Sequence, residues 1–136
     1  FFKQKTAYEI KECDWSSDVV LFRSAKVVVL GASYRGGVKE TAFSGVFPTV
    51  DALKALGAEV LVHDPMYTDD ELKKYGFTPY HYGESVDAAV IQADHKEYSE
   101  LSTAKLPGIK TLLDGRGVTK ANNWSDIKYH VIGKAL

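Results

Sequence analysis

The chain has 136 residues, with 17 lysines and arginines against 18 aspartates and glutamates, and a formal net charge of −1 at pH 7. Its basic residues are scattered, so the composition provides no electrostatic footprint for binding nucleic acid. No apolar run approaches the roughly 20 residues that a membrane-spanning helix requires. We therefore expect a soluble domain, cytoplasmic by default, that binds neither nucleic acid nor membrane.

The sequence of residues 1–24 is not typical of a folded segment. CDWSSDV (Cys13–Val19) and LFRS (Leu21–Ser24) resemble a translated sequencing adapter, so we expect 1–24 to be an artefactual or disordered N-terminal segment. The open alternative is an ordinary N-terminal arm or linker. Residues 25–136 then form one domain. Because the single cysteine, Cys13, lies before it, that domain has no thiol for a disulfide, a thiolate metal site or a nucleophile.

The first predicted strand and helix flank a glycine-containing turn. The apolar, largely β-branched run Val27–Leu30 predicts a buried strand that ends at Gly31. A helix follows, with Ser44 as its N-cap and Pro48 in its first turn. Gly57 is predicted to end that helix at the C′ position.

A second strand and a short helix come next. Glu59–His63 predicts the strand, and Thr68 with Glu71 predicts a capping box for the helix. Gly76 is predicted to end this helix. The stretch Phe77–Tyr82 is ambiguous between strand and loop.

Three more strands complete the alternation. They are predicted at Ala88–Gln92, Thr111–Leu113 and Tyr129–Ile132. Asp94 and Glu97 repeat the capping signature, which predicts a helix through Leu101. The alternation predicts an α/β fold, a Rossmann-like three-layer sandwich with a mainly parallel sheet and helices on both faces.

Four polar turns follow the predicted strands. They are Gly31–Gly37, Asp64-Pro65, Asp94-His95 and Asp114–Gly117. The carboxyl ends of parallel strands share one edge of a sheet, and ligands bind outside that edge. The sequence therefore predicts a ligand site where these turns meet.

The first of these turns imitates a dinucleotide fingerprint. Gly31 to Gly36 mimics G-x-G-x-x-G, but Ser33 replaces the glycine that lets the backbone approach a pyrophosphate, and the helix begins too late. We therefore do not predict an NAD site here. What remains is the pair Tyr34-Arg35, whose guanidinium fork suits phosphate or carboxylate oxygens. A solvated arginine is the alternative.

The run VVVLGASYRGGVKETAFS, residues 27–44, resembles the start of the C-terminal UDP-sugar-binding domain of the UDP-glucose/GDP-mannose dehydrogenase family. Members typically read VxVLGLAYKPxxDDxRxSP there. The positions that match are Leu30, Gly31, Tyr34, Arg35 (for Lys), Thr41 and Ser44. GAEVLVHDP (57–65) and DGR (114–116) follow in the family's order, so the resemblance covers nearly all of residues 26–133.

The resemblance implies a substrate-binding role for Tyr34, Arg35 and Arg116, which match family positions that contact the UDP-sugar. The family arginine that reaches the NAD pyrophosphate is Ala42 in this chain. The cofactor-binding residues of this domain are therefore unknown, with Lys39 or Arg35 as alternative cations.

Two residues keep alternative interpretations. Arg116 follows a strand between two glycines, and its alternative role is a surface ion pair with Asp114. His95, beside Asp94, resembles the D-H of the branch that oxidises UDP-N-acetylmannosamine, but a core or capping role is favoured over that of a general base. None of the histidines has metal-ligand spacing, so we predict no metal site.

The resemblance also implies an activity for a longer protein. The family oxidises the C6 alcohol of a UDP-hexose or UDP-N-acetylhexosamine to the uronic acid in two NAD-dependent hydride steps, using a cysteine thioester. NAD would be bound mainly by a missing N-terminal domain, and a missing central domain would form a homodimer. We expect no catalytic residue in this chain, which would not be catalytic alone. The alternative is a stand-alone nucleotide- or CoA-binding Rossmann-like module.

Deleting residues 1–24 tests the domain boundary. We expect the melting temperature to change by less than about 2 °C, because the segment lacks a periodic apolar face and adds no core. Thermal unfolding of both chains measures this. A loss of several kcal/mol would show instead that the segment packs on the domain.

Overall fold

The computed structural model describes residues 25–33, 37, 39 and 44–131. Predictions about residues 1–24 and about Tyr34, Arg35, Thr41 and Ala42 lie outside the described residues. The strands are β1 (Lys26–Leu30), β2 (Glu59–His63), β3 (Ala88–Ile91), β4 (Thr111–Asp114) and β5 (Lys128–Val131). The helices are α1 (Val46–Ala55), α2 (Asp69–Lys74) and the 3-10 segments Lys96–Glu100, Thr103–Lys105 and Ala121–Trp124. No helix in this part of the chain has the length and apolarity to cross a membrane.

The five strands form one parallel sheet in the order β2-β1-β3-β4-β5. This confirms the predicted α/β fold, and each strand lies within a residue or two of its predicted position. The register aligns Leu30 with His63 and with Ile91, and Ile91 with Asp114. The turns that follow β1, β2, β3 and β4 therefore all begin at the same edge of the sheet. From β1 the chain moves to β2 at one edge and then returns to β3 on the other side of β1. The topological switch point therefore lies between β1 and β3, and open α/β sheets bind ligands at such a point.

Alternate residues of each strand enter two separate cores. One face of β1 presents Val27 and Val29 to a cluster that includes Leu53 of α1 and Leu72 of α2. The other face packs against residues of the 3-10 segments and their connections, namely Tyr98, Leu101, Leu106 and Trp124. Among the described residues, both α-helices thus lie on one face. The 3-10 segments cover the other face, so helical segments lie on both faces of the sheet, as predicted.

The two ends of α1 differ from the prediction in one respect. Gly57 follows the helix with a φ of 90°, as predicted. At the start, however, Gly45 is the N-cap residue and makes no side-chain capping bond. The Ser44 hydroxyl instead accepts the Val46 N–H at 3.1 Å and donates to the Ser33 carbonyl at 3.2 Å. Ser44 therefore joins the start of α1 to the turn after β1.

The predicted capping box of α2 is confirmed. The Thr68 hydroxyl accepts the Glu71 N–H at 3.3 Å, and the Glu71 carboxylate accepts the Thr68 N–H at 2.9 Å. The ambiguous stretch Phe77–Tyr82 is a loop with a single parallel bridge between Val62 and Pro79. This loop covers the outer edge of β2, a strand that would otherwise expose its backbone.

The capping box predicted at Asp94 and Glu97 is wrong. The following residues form the 3-10 segment Lys96–Glu100, whose N-cap position has no side-chain capping bond. Asp94 faces Arg116 at 3.6 Å, and Glu97 accepts the Tyr82 hydroxyl at 2.6 Å. Both carboxylates thus interact with other parts of the fold.

Replacing Gly31 with alanine tests how closely β1 and β3 approach. Gly31 has a φ of 110°, and a Cβ there would lie 2.6 Å from the backbone nitrogen of Ala93. We expect Gly31→Ala to lower the free energy of unfolding by about 3 kcal/mol or more, since backbone strain and overpacking add. Gly76→Ala is the matched control, because Gly76 has a φ of 86° with nothing within 4 Å. Gly76→Ala should lower the free energy of unfolding by only about 1–2 kcal/mol, the cost of a left-handed backbone for a residue with a Cβ. Equal losses in urea unfolding would contradict this account.

Candidate functional site

The candidate site is centred on Asp64, which directly follows β2. Its side chain is 0% exposed. One oxygen, Oδ2, accepts the backbone N–H groups of Ala32 at 2.8 Å and Ser33 at 3.1 Å, and the Ser33 hydroxyl at 3.0 Å. The other, Oδ1, accepts the Met66 N–H at 2.8 Å. A single carboxylate therefore fixes its own turn and the turn that follows β1.

The hydrogen bonds keep Asp64 ionised despite its burial. Burial alone would raise the pKa of this carboxyl. The hydrogen bonds from His95 and from the amides of Met66 and Ala32 outweigh burial, and the pKa of Asp64 lies below its ordinary value of 3.8. The site thus contains a buried negative charge at neutral pH.

His95 extends the Asp64 network to the end of β3. The residue is 3% exposed, and its Nε2 lies 2.8 Å from Asp64 Oδ2. Its Nδ1 accepts the Gly37 N–H at 3.1 Å. Nδ1 therefore carries no hydrogen, so Nε2 carries the hydrogen and donates it to the carboxylate. The Tyr98 ring packs edge-on against the imidazole, with centroids 5.5 Å apart.

Ser33, Asp64 and His95 do not form a nucleophilic triad. In such a triad the serine and the carboxylate lie on opposite ring nitrogens. Here Ser33 Oγ, 3.4 Å away, and Asp64 Oδ2 approach the same nitrogen, Nε2. The serine is 0% exposed and its hydroxyl donates to Asp64. The cluster is therefore suited to holding backbone in place, and not to acyl transfer.

In its described residues Ala32 and Ser33, the turn after β1 differs from the pyrophosphate site of a dinucleotide. In an NAD site, backbone N–H groups of this turn face the phosphates. Here the amides of Ala32 and Ser33 donate to a buried carboxylate instead. These two amides are therefore not available to a pyrophosphate.

A second buried carboxylate, Asp114, shapes the loop that carries Arg116. Asp114 is 0% exposed. Its Oδ1 accepts the N–H groups of Arg116 at 2.9 Å and Gly117 at 2.8 Å, and its Oδ2 accepts that of Thr119 at 2.8 Å. The alternative of an Arg116–Asp114 surface pair is therefore wrong. The Arg116 guanidinium pairs instead with Asp94 at 3.6 Å, and 16% of the Arg116 side chain is exposed.

The remaining candidate side chains make other contacts. Lys39 pairs with Glu71 of α2 at 2.7 Å. His63 contacts the Tyr98 hydroxyl at 2.9 Å, and burial lowers the pKa of His63. Among residues 25–33, 37, 39 and 44–131, no three potential metal-ligating side chains converge. Tyr34 and Arg35 belong to the residues that are not described, so their predicted contacts stay predictions.

Sequence reasoning missed the link from Asp64 through His95 to Gly37. The sequence pattern predicts a polar turn at Asp64 and favours a core or capping role for His95. The sequence signal that could have predicted this link is that Gly31, Asp64 and His95 each come shortly after one of three strands. In the sheet these three strands are neighbours, so the residues lie at the same edge. Proximity at that edge depends on the strand order.

The sheet order and the polar turns at its carboxyl edge define a Rossmann-like α/β domain. Residues 28–121 match the model of the UDP-glucose/GDP-mannose dehydrogenase family, UDP binding domain. The chain belongs to this family, as its sequence motifs predict.

Similarity to known proteins is consistent with membership of this family. UDP-N-acetyl-D-mannosamine dehydrogenase from Pyrococcus horikoshii is 33% identical over 101 residues, which cover 71% of this chain and 22% of the relative. Two solved structures support the fold. UDP-N-acetyl-mannosamine dehydrogenase from S. aureus has a TM-score of 0.70 at 24% identity, covering 94% of this chain and 31% of that one. UDP-glucose dehydrogenase from Pyrobaculum islandicum has a TM-score of 0.67 at 19% identity, covering 96% and 29%. The chain thus spans less than a third of their length.

Replacing Asp64 with asparagine tests the central carboxylate. We expect Asp64→Asn to lower the free energy of unfolding by about 2–4 kcal/mol at pH 7, because an amide NH₂ would face several buried donors. Since folding lowers the pKa of Asp64, its contribution is fully present above about pH 4 and is lost at lower pH. The difference from wild type should therefore narrow as the pH falls below about 4.

Urea unfolding at several pH values measures this difference. Asp87→Asn is the matched control, because Asp87 accepts only one N–H, that of Lys26, at an exposed position. It should change the free energy by less than about 1 kcal/mol. A constant gap between Asp64→Asn and wild type down to the lowest pH would contradict the assignment.

Proposed function

We propose that residues 25–136 form the UDP-sugar-binding domain of an NAD-dependent nucleotide-sugar 6-dehydrogenase. The longer protein would oxidise a UDP-hexose or UDP-N-acetylhexosamine to the uronic acid. This chain would bind the nucleotide-sugar and contribute no catalytic residue. The family resemblance implies further parts of the same proposal: NAD, an N-terminal domain that binds most of it, a central dimerisation domain and a homodimer. A cytoplasmic location is proposed as the default for such a chain.

The placement of Arg116 is the observation that best supports this proposal. Asp114 accepts three N–H groups of the loop, so the loop is held before any ligand arrives. Arg116 lies on this loop, at the edge where the turns after β1, β2 and β3 also lie. An arginine fork binds phosphate oxygens through two parallel hydrogen bonds. A preorganised loop avoids part of the ordering cost of binding.

Asp94 gives the Arg116 side chain a partner that a ligand can replace. Its carboxylate lies 3.6 Å from the guanidinium, and the Asp94 side chain is 45% exposed, whereas that of Arg116 is 16% exposed. A diphosphate makes shorter charge-assisted bonds, so it can take the place of Asp94 at modest cost. Tyr34 and Arg35 would add contacts from the turn after β1.

Titration of the chain with UDP tests the proposal. Arg116→Ala should weaken UDP binding by about ten- to a hundredfold, since a charge-assisted hydrogen bond contributes roughly 1.5–3 kcal/mol. Arg116→Lys should bind less well than wild type, because it keeps the charge and loses the fork. Calorimetry or NMR chemical-shift titration measures the dissociation constants.

Lys110→Ala is the matched control. Lys110 is exposed and immediately precedes β4, at the opposite edge of the sheet from Arg116. Its replacement removes the same charge and should leave UDP affinity within about twofold. If Arg116→Ala binds UDP with wild-type affinity, this edge of the sheet has no role in substrate binding. Coenzyme A or ADP binding as tightly as UDP would favour the stand-alone module instead.

A further inference from the structure

We propose that Asp94 competes with the phosphates of the nucleotide for Arg116 and thereby limits how tightly the site binds anions. The inference rests on the proposed UDP-binding function, in which Arg116 contacts the diphosphate. The Asp94 carboxylate lies 3.6 Å from the Arg116 guanidinium. An anion that binds Arg116 must either displace this carboxylate or lie beside it, and two anions at one guanidinium repel each other.

The loop that carries Arg116 does not depend on Asp94 for its conformation. Asp114 accepts the N–H groups of Arg116 at 2.9 Å, Gly117 at 2.8 Å and Thr119 at 2.8 Å. Asp114 is buried, which strengthens these bonds. Loss of the Asp94 charge is therefore expected to leave the loop and the backbone of Arg116 in place.

The backbone of Asp94 is also fixed by its neighbours. The Ala93 N–H donates to the Leu30 carbonyl at 3.3 Å, and His95 Nε2 lies 2.8 Å from Asp64 Oδ2. Both neighbours of Asp94 are buried, whereas its own side chain is 45% exposed. The carboxylate can therefore turn towards water when a phosphate arrives, and no backbone has to move.

The covered position of Arg116 makes the competing charge effective. Only 16% of its side chain is exposed, and charges at a partly covered site are screened less than charges on an open surface. The Asp94 carboxylate therefore opposes an incoming phosphate more strongly than a fully exposed carboxylate would. The phosphate still prevails, because its charge-assisted bonds to a guanidinium are about 2.7–2.9 Å long.

This competition decides which anions occupy the site. Displacing Asp94 costs each anion a similar free energy, so an anion that makes one weak contact does not occupy Arg116. A diphosphate has several charged oxygens for the arginine fork and binds despite this cost. An opposing charge at a binding site is a general means of excluding unwanted ligands. Asp94 thereby restricts Arg116 to strongly charged ligands.

Replacing Asp94 with asparagine tests the competition. Asparagine has nearly the same shape and no charge, so Asp94→Asn should lower the dissociation constant of UDP by about three- to tenfold. Inorganic pyrophosphate, which has the charge but no base, should show a gain of similar size. Uridine has no phosphate, so its dissociation constant should stay within about twofold of the wild-type value. NMR chemical-shift titration measures all three ligands.

Glu59→Gln is the matched control. Glu59 is exposed and begins β2, at the opposite edge of the sheet from Arg116. Its replacement removes the same charge and should leave UDP affinity within about twofold. If Asp94 instead oriented Arg116 for the nucleotide, Asp94→Asn would bind UDP more weakly than wild type. That result would overturn the inference.

Pyrophosphate distinguishes failure of the inference from failure of the proposed function. If neither chain binds UDP, the proposed function fails, while tighter binding of pyrophosphate by Asp94→Asn would still support the competition. Asp94→Ser is the second uncharged variant if Asp94→Asn does not fold. Equal binding of pyrophosphate by wild type and the uncharged variants would overturn the inference, whatever the result with UDP.

Discussion

The hydrogen bonds to the buried carboxylate of Asp64 hold together the edge of the sheet at which the candidate site lies. Its partners come from the turn after β1, from its own turn after β2 and, at His95, from the turn after β3. Because β1 lies between β2 and β3 in the sheet, one anion joins three neighbouring strand ends. A buried ion is tolerated only when donors replace the water it has lost, and here backbone, hydroxyl and imidazole donors do so.

The close approach of β1 and β3 makes this network possible. Gly31 ends β1 without a side chain, and the chain that leaves β3 passes so near that a Cβ at Gly31 would overlap the backbone of Ala93. The Ala93 N–H donates to the Leu30 carbonyl at 3.3 Å. Two residues later, His95 is close enough to bond Asp64. The absence of a side chain at Gly31 therefore permits the close approach that brings His95 to Asp64.

Asp64 and Asp114 both hold turns in place, but they act over different separations along the sequence. Both lie at the carboxyl ends of strands, both are buried, and both accept backbone N–H groups of turns. Asp114 acts locally, on residues two, three and five positions further along the chain. Asp64 also acts across the sheet, on residues about thirty positions away. Together they provide an edge of fixed turns, which is what a phosphate site built from loops requires.

The sequence by itself determined the features that depend on near neighbours or on a family motif. The β-branched run at Val27 predicted β1, and Thr68 with Glu71 predicted a capping box that forms as expected, since both partners lie within one helical turn. The motifs predicted the family. Only the tertiary structure decided that Asp94 faces Arg116 and not a helix start, and that His95 joins Asp64 to Gly37. These contacts span 31 and 58 residues for His95, and they exist because the strand order brings distant turns to one edge, which periodicity along the chain does not encode.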